Sequence, residues 1–228
     1  MTPSKKQSTS FSQHDLLDAC AQPGCPICRV GAYSAKRYMK SMFNEYVNDI
    51  TMRDNLLKSM GYCYEHTQLL LTIRIADALG ASIIYENIVK KILRELPEQI
   101  KSTDFEKATT RIKACPACEQ RDDVFARSSH ELGKSLGDEK MRSALEKSDG
   151  LCFPHLSQVL ENVQNATNET FLLLLTKSKL EARQAEMAEV IRKSDHQFKD
   201  EKITQEEAIA WKKVISTISG ASINPTGE

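Results

Sequence analysis

The sequence predicts an all-α protein made from two repeated helical-hairpin units, each carrying a Cys3His metal site, packed through long helices with one more helix at the C-terminus. Two observations set the class. The apolar runs are long, poorly alternating and free of hairpin signals such as Asn-Gly, so period-two strands are not indicated. The second observation sets the repeat. Cys25-Pro26-Ile27-Cys28 and Cys63-Tyr64-Glu65-His66 return as Cys115-Pro116-Ala117-Cys118 and Cys152-Phe153-Pro154-His155, at offsets of 90, 90, 89 and 89 residues. Four equivalent positions at near-constant offset mark an internal duplication.

The elements follow in order. Residues 1–12 are rich in Ser, Thr, Gln and Lys and read as a disordered tail. The first unit is expected over 13–104. Phe11 to Cys20 can form a short helix, which Pro23-Gly24 breaks before Cys25. Val30 to Asn48 carries Met39, Met42, Phe43, Tyr46 and Val47 at three and four residue intervals, the pattern of an amphipathic helix. A shorter helix over Thr51–Ser59 ends before Gly61, placed for a left-handed cap. From His66 one long helix is expected to run to about Leu96, with Ile73, Ile84, Ile88 and Ile92 on its apolar face, until Pro97 stops it.

The second unit is expected over 105–220. Phe105 to Ala114 feeds the second motif pair, and Val124–Leu136 and Lys140–Lys147 repeat the two helices of the first unit. The tract after His155 divides near Asn165–Asn168 and resumes as Phe171–Ser194. A last helix, Gln205–Ile218, ends at Gly220 and is expected to close the core with Trp211, the one tryptophan. Residues 221–228 read as a tail.

Composition narrows the function. The chain has 31 basic and 31 acidic residues. Up to Lys113 there are 16 basic against 12 acidic residues, leaving 15 against 19 afterwards, a contrast too small for a nucleic-acid footprint. No secretory leader and no membrane span are evident, so a cytoplasmic location is expected and paired cysteines read as metal ligands or redox groups. No phosphate loop, nucleophile elbow, HExxH or paired-carboxylate pattern occurs, so no catalytic residues are assigned.

Within each copy, CPxC and CxxH together offer three thiolates and an imidazole, a tetrahedral set that suits zinc. The metal ligands are therefore read as Cys25, Cys28, Cys63 and His66 in the first copy and Cys115, Cys118, Cys152 and His155 in the second. Each helical hairpin would leave its ion and return to it, giving two zinc ions per chain. An iron-sulfur cluster is the alternative metal, and reversible dithiol chemistry at the CPxC pairs is another reading. Tyr62, Tyr64 and Phe153 are expected to exclude water from the ligands. Glu65 has Pro154 as its counterpart, which argues against a shared general base. Cys20 has Thr110 at its repeat position and reads as a spare thiol, while His14, His130 and His196 read as surface residues.

The CPIC, GYCYEH, CPAC and GLCFPHL segments, with a terminal helix carrying Trp211 and ending at Gly220, resemble the DUF6062 family of uncharacterised bacterial and archaeal proteins. The likeness covers roughly 15–220. It implies the duplicated Cys and His positions as a shared feature and brings no reaction with it. The function expected is a zinc-stabilised structural or protein-interaction module, with a protein partner or a second copy bound. A redox protein or a zinc-containing nucleic-acid binder are the alternatives.

Overall fold

The computed structural model describes residues 13–72, 78–99, 101–198 and 200–220. Among these it is all-helical. The helices are α1 Gln13–Cys20, α2 Pro26–Asn44, α3 Ile50–Lys58, α4 Tyr64–Thr72, α5 Ala78–Glu95, α6 Ser102–Thr109, α7 Pro116–Ser135, α8 Glu139–Lys147, α9 Phe153–Leu160, α10 Ala166–Lys193 and α11 Gln205–Ser219, with a 3-10 turn at His196–Phe198. Both expected tails, and the middle of the helix expected from His66 to Leu96, lie outside the described residues. The described parts of that helix are α4 and α5. The break expected near Asn165 is present, because the Asn165 side chain accepts from the Asn168 amide and caps α10.

The duplication reaches well beyond the Cys and His positions. Asp49 and Asp138, 89 residues apart, cap α3 and α8 by accepting backbone amides. Leu56 and Leu145, at the same offset, are fully buried. The hydroxyls of Ser59 and Ser148 then donate to the carbonyls of these two leucines. After α3 the Met60 amide bonds to the Leu57 carbonyl and the Gly61 amide to that of Leu56. This is a Schellman turn, with Met60 at φ 53° and Gly61 at φ 78°. Gly150 repeats the left-handed position at φ 86°.

Two compact units result, and they do not follow the sequential halves 13–104 and 105–220. Among the described residues, one is formed by 13–32 together with 124–220; the other lies within Tyr33–Asp123. The first unit packs Leu16, Ile27, Leu132, Leu136, Met141, Leu145, Val159 and Leu172 in its core. The second buries Ala35, Met39, Met42, Phe43, Leu56, Tyr62 and Ile84. Helix lengths account for the departure. The 19 residues of α2 rise about 28 Å, whereas the nine of α3 return only about 14 Å. Cys63, after α3, lies with Cys118 rather than with the cysteines at the start of α2. The 20 residues of α7 and nine of α8 repeat the same imbalance.

In the first unit α11 lies along α10. Lys193 and Glu207 form an ion pair at 2.7 Å with both side chains nearly buried. The buried Arg183 donates to the Thr217 hydroxyl and to the Asp149 carbonyl. Trp211 does not close the core as expected: it is 51% exposed, on a face of α11 shared with Ile215 and Ile218. Ala210, a smaller residue, takes the buried position instead. Arg142 reaches the Leu136 carbonyl and the Asn168 side chain and lies 4.7 Å over the Phe171 ring.

Gly31 on α2 faces Phe125 on α7 so closely that a Cβ would stand 2.0 Å from the phenyl Cε1. Gly31→Ala is expected to destabilise the protein by about 1–3 kcal/mol, because the overpacked ring must move. Denaturant midpoints of the variant and the wild type provide the measurement, and an unchanged midpoint would refute the contact.

Candidate metal centres

All four motifs sit at helix N-termini. The carbonyls of Cys25, Cys63, Cys115 and Cys152 accept the first helical bonds, from Arg29, Thr67, Glu119 and Leu156. These four cysteines are thus the N-cap residues of α2, α4, α7 and α9. Their partners three residues on, Cys28, His66, Cys118 and His155, occupy the N3 position. N-cap and N3 side chains both reach the open end of a helix, the geometry a capping box uses. A CxxC or CxxH spacing therefore aims two ligand atoms past one helix start. Pro26 and Pro116 at the first helical position, and Pro154 at the second, lose nothing by lacking an amide hydrogen.

The structure brings all eight predicted ligands into two groups of four, and it corrects the pairing. One group is Cys25, Cys28, Cys152 and His155; the other is Cys63, His66, Cys115 and Cys118. Each CPxC meets the CxxH of the other copy. Each group lies within one compact unit. The signal was present in the sequence as the unequal lengths of the two helices between the motifs.

The interatomic distances suit a single ion. In the first group Cys28 Sγ lies 3.7 Å from Cys152 Sγ, and His155 Nδ1 lies 3.6, 3.2 and 3.1 Å from the sulfurs of Cys25, Cys28 and Cys152. In the second, Cys63 Sγ lies 3.6 Å from Cys118 Sγ, and His66 Nδ1 lies 3.2, 3.6 and 3.4 Å from Cys63, Cys115 and Cys118. A tetrahedron with ordinary zinc–sulfur and zinc–nitrogen bonds has S···S edges of about 3.8 Å and S···N edges of about 3.5 Å. All ligand atoms of a group fall within 4.8 Å of one another. Cluster ligands bind separate irons and spread wider, so this compactness favours one ion over an iron-sulfur cluster.

Electrostatics point the same way. The Cys152 thiol is pushed up to about 12 by the adjacent Cys25 sulfur, with burial adding to it. Its neighbours Cys152 and Cys25, and then burial, likewise push the Cys28 thiol up. For Cys118 burial comes first, followed by the Cys63 and Cys115 sulfurs. Burial holds His66 below its ordinary range, which keeps its imidazole neutral and its lone pair available. Burial pushes the Cys25 thiol up, but its bonds with Cys152, Cys28 and His155 outweigh burial and hold it well below the ordinary thiol range, so the sulfurs of that group do not ionise alike; a bound divalent ion would favour all three thiolates.

The two groups differ in their cover. All four residues of the first are buried, whereas Cys63 and Cys118 of the second are only half-buried. The Phe125 ring stacks edge-on against His155 at 4.4 Å between centroids. Gly220, at φ 67°, ends α11 beside the Cys152 sulfur. At the second group the position equivalent to Gly31 is Arg121, which pairs with Glu65 at 3.1 Å. Tyr62 is buried as expected, but Tyr64 is 80% exposed and Phe153 37% exposed, so neither seals a centre. Both rings belong to the first helical position, which points outward when its neighbours at N-cap and N3 point at the ligand group.

Sequence reasoning missed Asp149. Its carboxylate accepts from the Gly24 amide at 2.7 Å and pairs with Lys213 at 3.3 Å and Arg183 at 3.7 Å. Burial pushes its pKa up, but these partners outweigh burial and hold it below the usual carboxylate range. The Gly24 bond fixes the turn that delivers Cys25. The remaining candidates lie apart from both centres: His14 and His196 are exposed beside Asp18 and Asp195, and His130 bonds to Asn162. Cys20 is buried and its thiol is pushed up to about 11, by burial first and then by Cys25.

Two outcomes follow from this geometry. In Cys152→Ser, alkylation of Cys25 and Cys28 should rise while that of Cys115 and Cys118 stays at the wild-type level; peptide mapping reads the difference, and the opposite pattern would restore pairing within each copy. Asp149→Asn should cost about 1–3 kcal/mol at neutral pH. A depressed carboxylate stabilises the fold above its unfolded pKa of about 4 and loses that effect as pH falls through the folded value. The gap between variant and wild type in urea melts should therefore narrow only below about pH 4.

A protein of Caldicellulosiruptor sp. (strain Rt8B.4), described as an uncharacterized 23.9 kDa protein in the xynA 3'region, is 23% identical over 208 residues, covering 90% of this chain and 99% of that one. No solved structure matches the chain. The profile of a family of unknown function, DUF6062, matches residues 11–223, and the chain belongs to that family.

Proposed function

We propose that each group of three cysteines and one histidine holds one zinc ion, two per chain, and that the ions are structural. The observation that carries this reading is the pair of closed four-ligand sets at tetrahedral spacing. A structural zinc site takes four protein ligands, while a catalytic one keeps a position for water. Each ion would join two helix N-termini that sequence alone does not bring together. Its binding would supply folding energy directly, because the unfolded chain has no formed site.

The module would act by presenting helix faces held in place by the ions to a protein partner or a second copy. Trp211, Ile215 and Ile218, half-exposed along one side of α11, support an interaction role. Seven free thiols suit a reducing compartment such as the cytoplasm. No described helix is long and apolar enough to cross a membrane.

Elemental analysis of protein purified without added metal should find two zinc ions per chain and no iron. Chelation should then abolish the cooperative thermal transition, monitored by circular dichroism. A full native melt after verified metal removal would overturn the structural role.

A further inference from the structure

The duplicated centres are unequal in a way that their shared ligand set does not require. Cys63 and Cys118 are half-buried, and their sulfurs lie 3.6 Å apart. Cys25, Cys28 and Cys152 are buried. The difference traces to residues at equivalent repeat positions. Gly31 makes room for Phe125 over His155, whereas Arg121 and Ala35 stand at the corresponding places of the second centre. Pro154 packs beneath Gly220 at the first centre, and its counterpart Glu65 is an exposed acid paired with Arg121. One centre has an apolar lid and the other a polar rim.

We propose that Cys63 and Cys118 form a thiol-modification site that takes small disulfides as its oxidant. Oxidation there expels the ion of that centre while the centre of Cys25, Cys28, Cys152 and His155 stays closed. The proposal rests on the zinc reading above. A zinc-bound thiolate keeps nucleophilic character when a reagent can reach it. One of the two sulfurs attacks a disulfide RSSR, forming a mixed disulfide and releasing RS⁻. The second sulfur then attacks the protein sulfur of that mixed disulfide, forming the Cys63–Cys118 bond and releasing the second RS⁻. Two electrons pass from the protein sulfurs to the reagent, and two protons from solvent convert both leaving groups to RSH. Only Cys115 and His66 then remain for the ion, which leaves. The two sulfurs start 3.6 Å apart, so the second step draws them together by about 1.5 Å.

The test uses the two-zinc holoprotein with oxidised glutathione as the disulfide. A metallochromic indicator follows the released zinc, and non-reducing peptide mapping locates the new bond. The expected result is one equivalent of zinc leaving about tenfold faster than the second, with a Cys63–Cys118 crosslink that dithiothreitol and zinc reverse. Phe125→Ala should quicken the second, slower release and leave the first unchanged. Release of both ions at one rate, or modification of Cys25, Cys28 or Cys152 first, overturns the proposal. So does an unchanged slow phase in a folded Phe125→Ala protein. The metal count before reagent separates the two readings: fewer than two zinc ions refutes the structural-zinc function. In that case relative N-ethylmaleimide labelling of Cys63 and Cys118 against Cys25, Cys28 and Cys152 still decides the modification site.

Discussion

Everything distinctive in this molecule depends on pairs of helix N-termini converging so that an N-cap and an N3 side chain from each point at one common position. A helix start offers unpaired amides and a partial positive charge, both favourable to thiolates. Two starts facing each other gather four ligand atoms in a volume suited to one ion. The residues between the ligands follow from the same geometry. Proline is tolerated at the first helical position because no hydrogen bond is lost there. Tyr64 and Phe153 occupy that position and face outward rather than over the ligands.

The pairing of motifs across the duplication changes what holds each unit together. In the first unit the two motif pairs are more than 120 positions apart, with Cys28 and Cys152 separated by 124. That unit is therefore assembled from the two ends of the chain. An ion linking such distant segments would act against a large loss of chain entropy, which grows only slowly with loop length. Asp149 works at the same junction, since its bond to the Gly24 amide ties the loop before Cys25 to helices near the C-terminus. Gly220 and Phe125 complete the cover. In the second unit the loop before Cys115 is tied by the Lys58 carbonyl, which accepts from the Ile112 and Lys113 amides, and by the Tyr62 carbonyl, which accepts from Arg111, and the centre is bordered by the Glu65–Arg121 pair.

Divergence after duplication is visible in these borders. Ligand identity, the caps Asp49 and Asp138, and the buried leucines Leu56 and Leu145 are repeated because the geometry of each helical return demands them. Gly31 against Arg121, and Pro154 against Glu65, are free to differ because they touch the centres only from outside. Chemical inequality between two sites with the same ligands can arise from such replacements alone, since access by solvent controls the reactivity of a thiolate.

The helical class, most helix boundaries within a few residues, the break before α10 and the eight Cys and His positions were legible in the chain, because periodicity, caps and repeated spacing are local properties. Which CPxC would meet which CxxH was only half legible: the unequal lengths of α2 and α3 were readable, but proximity along the sequence suggested the wrong partner. The exposure of Trp211 could not be read from its hydrophobicity, since the burial of an amphipathic helix depends on which face its neighbour takes. The sequence by itself thus determined the kinds of ligand and their aim past a helix start. Only the tertiary structure decided which starts converge and how deeply each group lies, because those outcomes depend on the direction in which long helices carry the chain and on side chains contributed from remote segments.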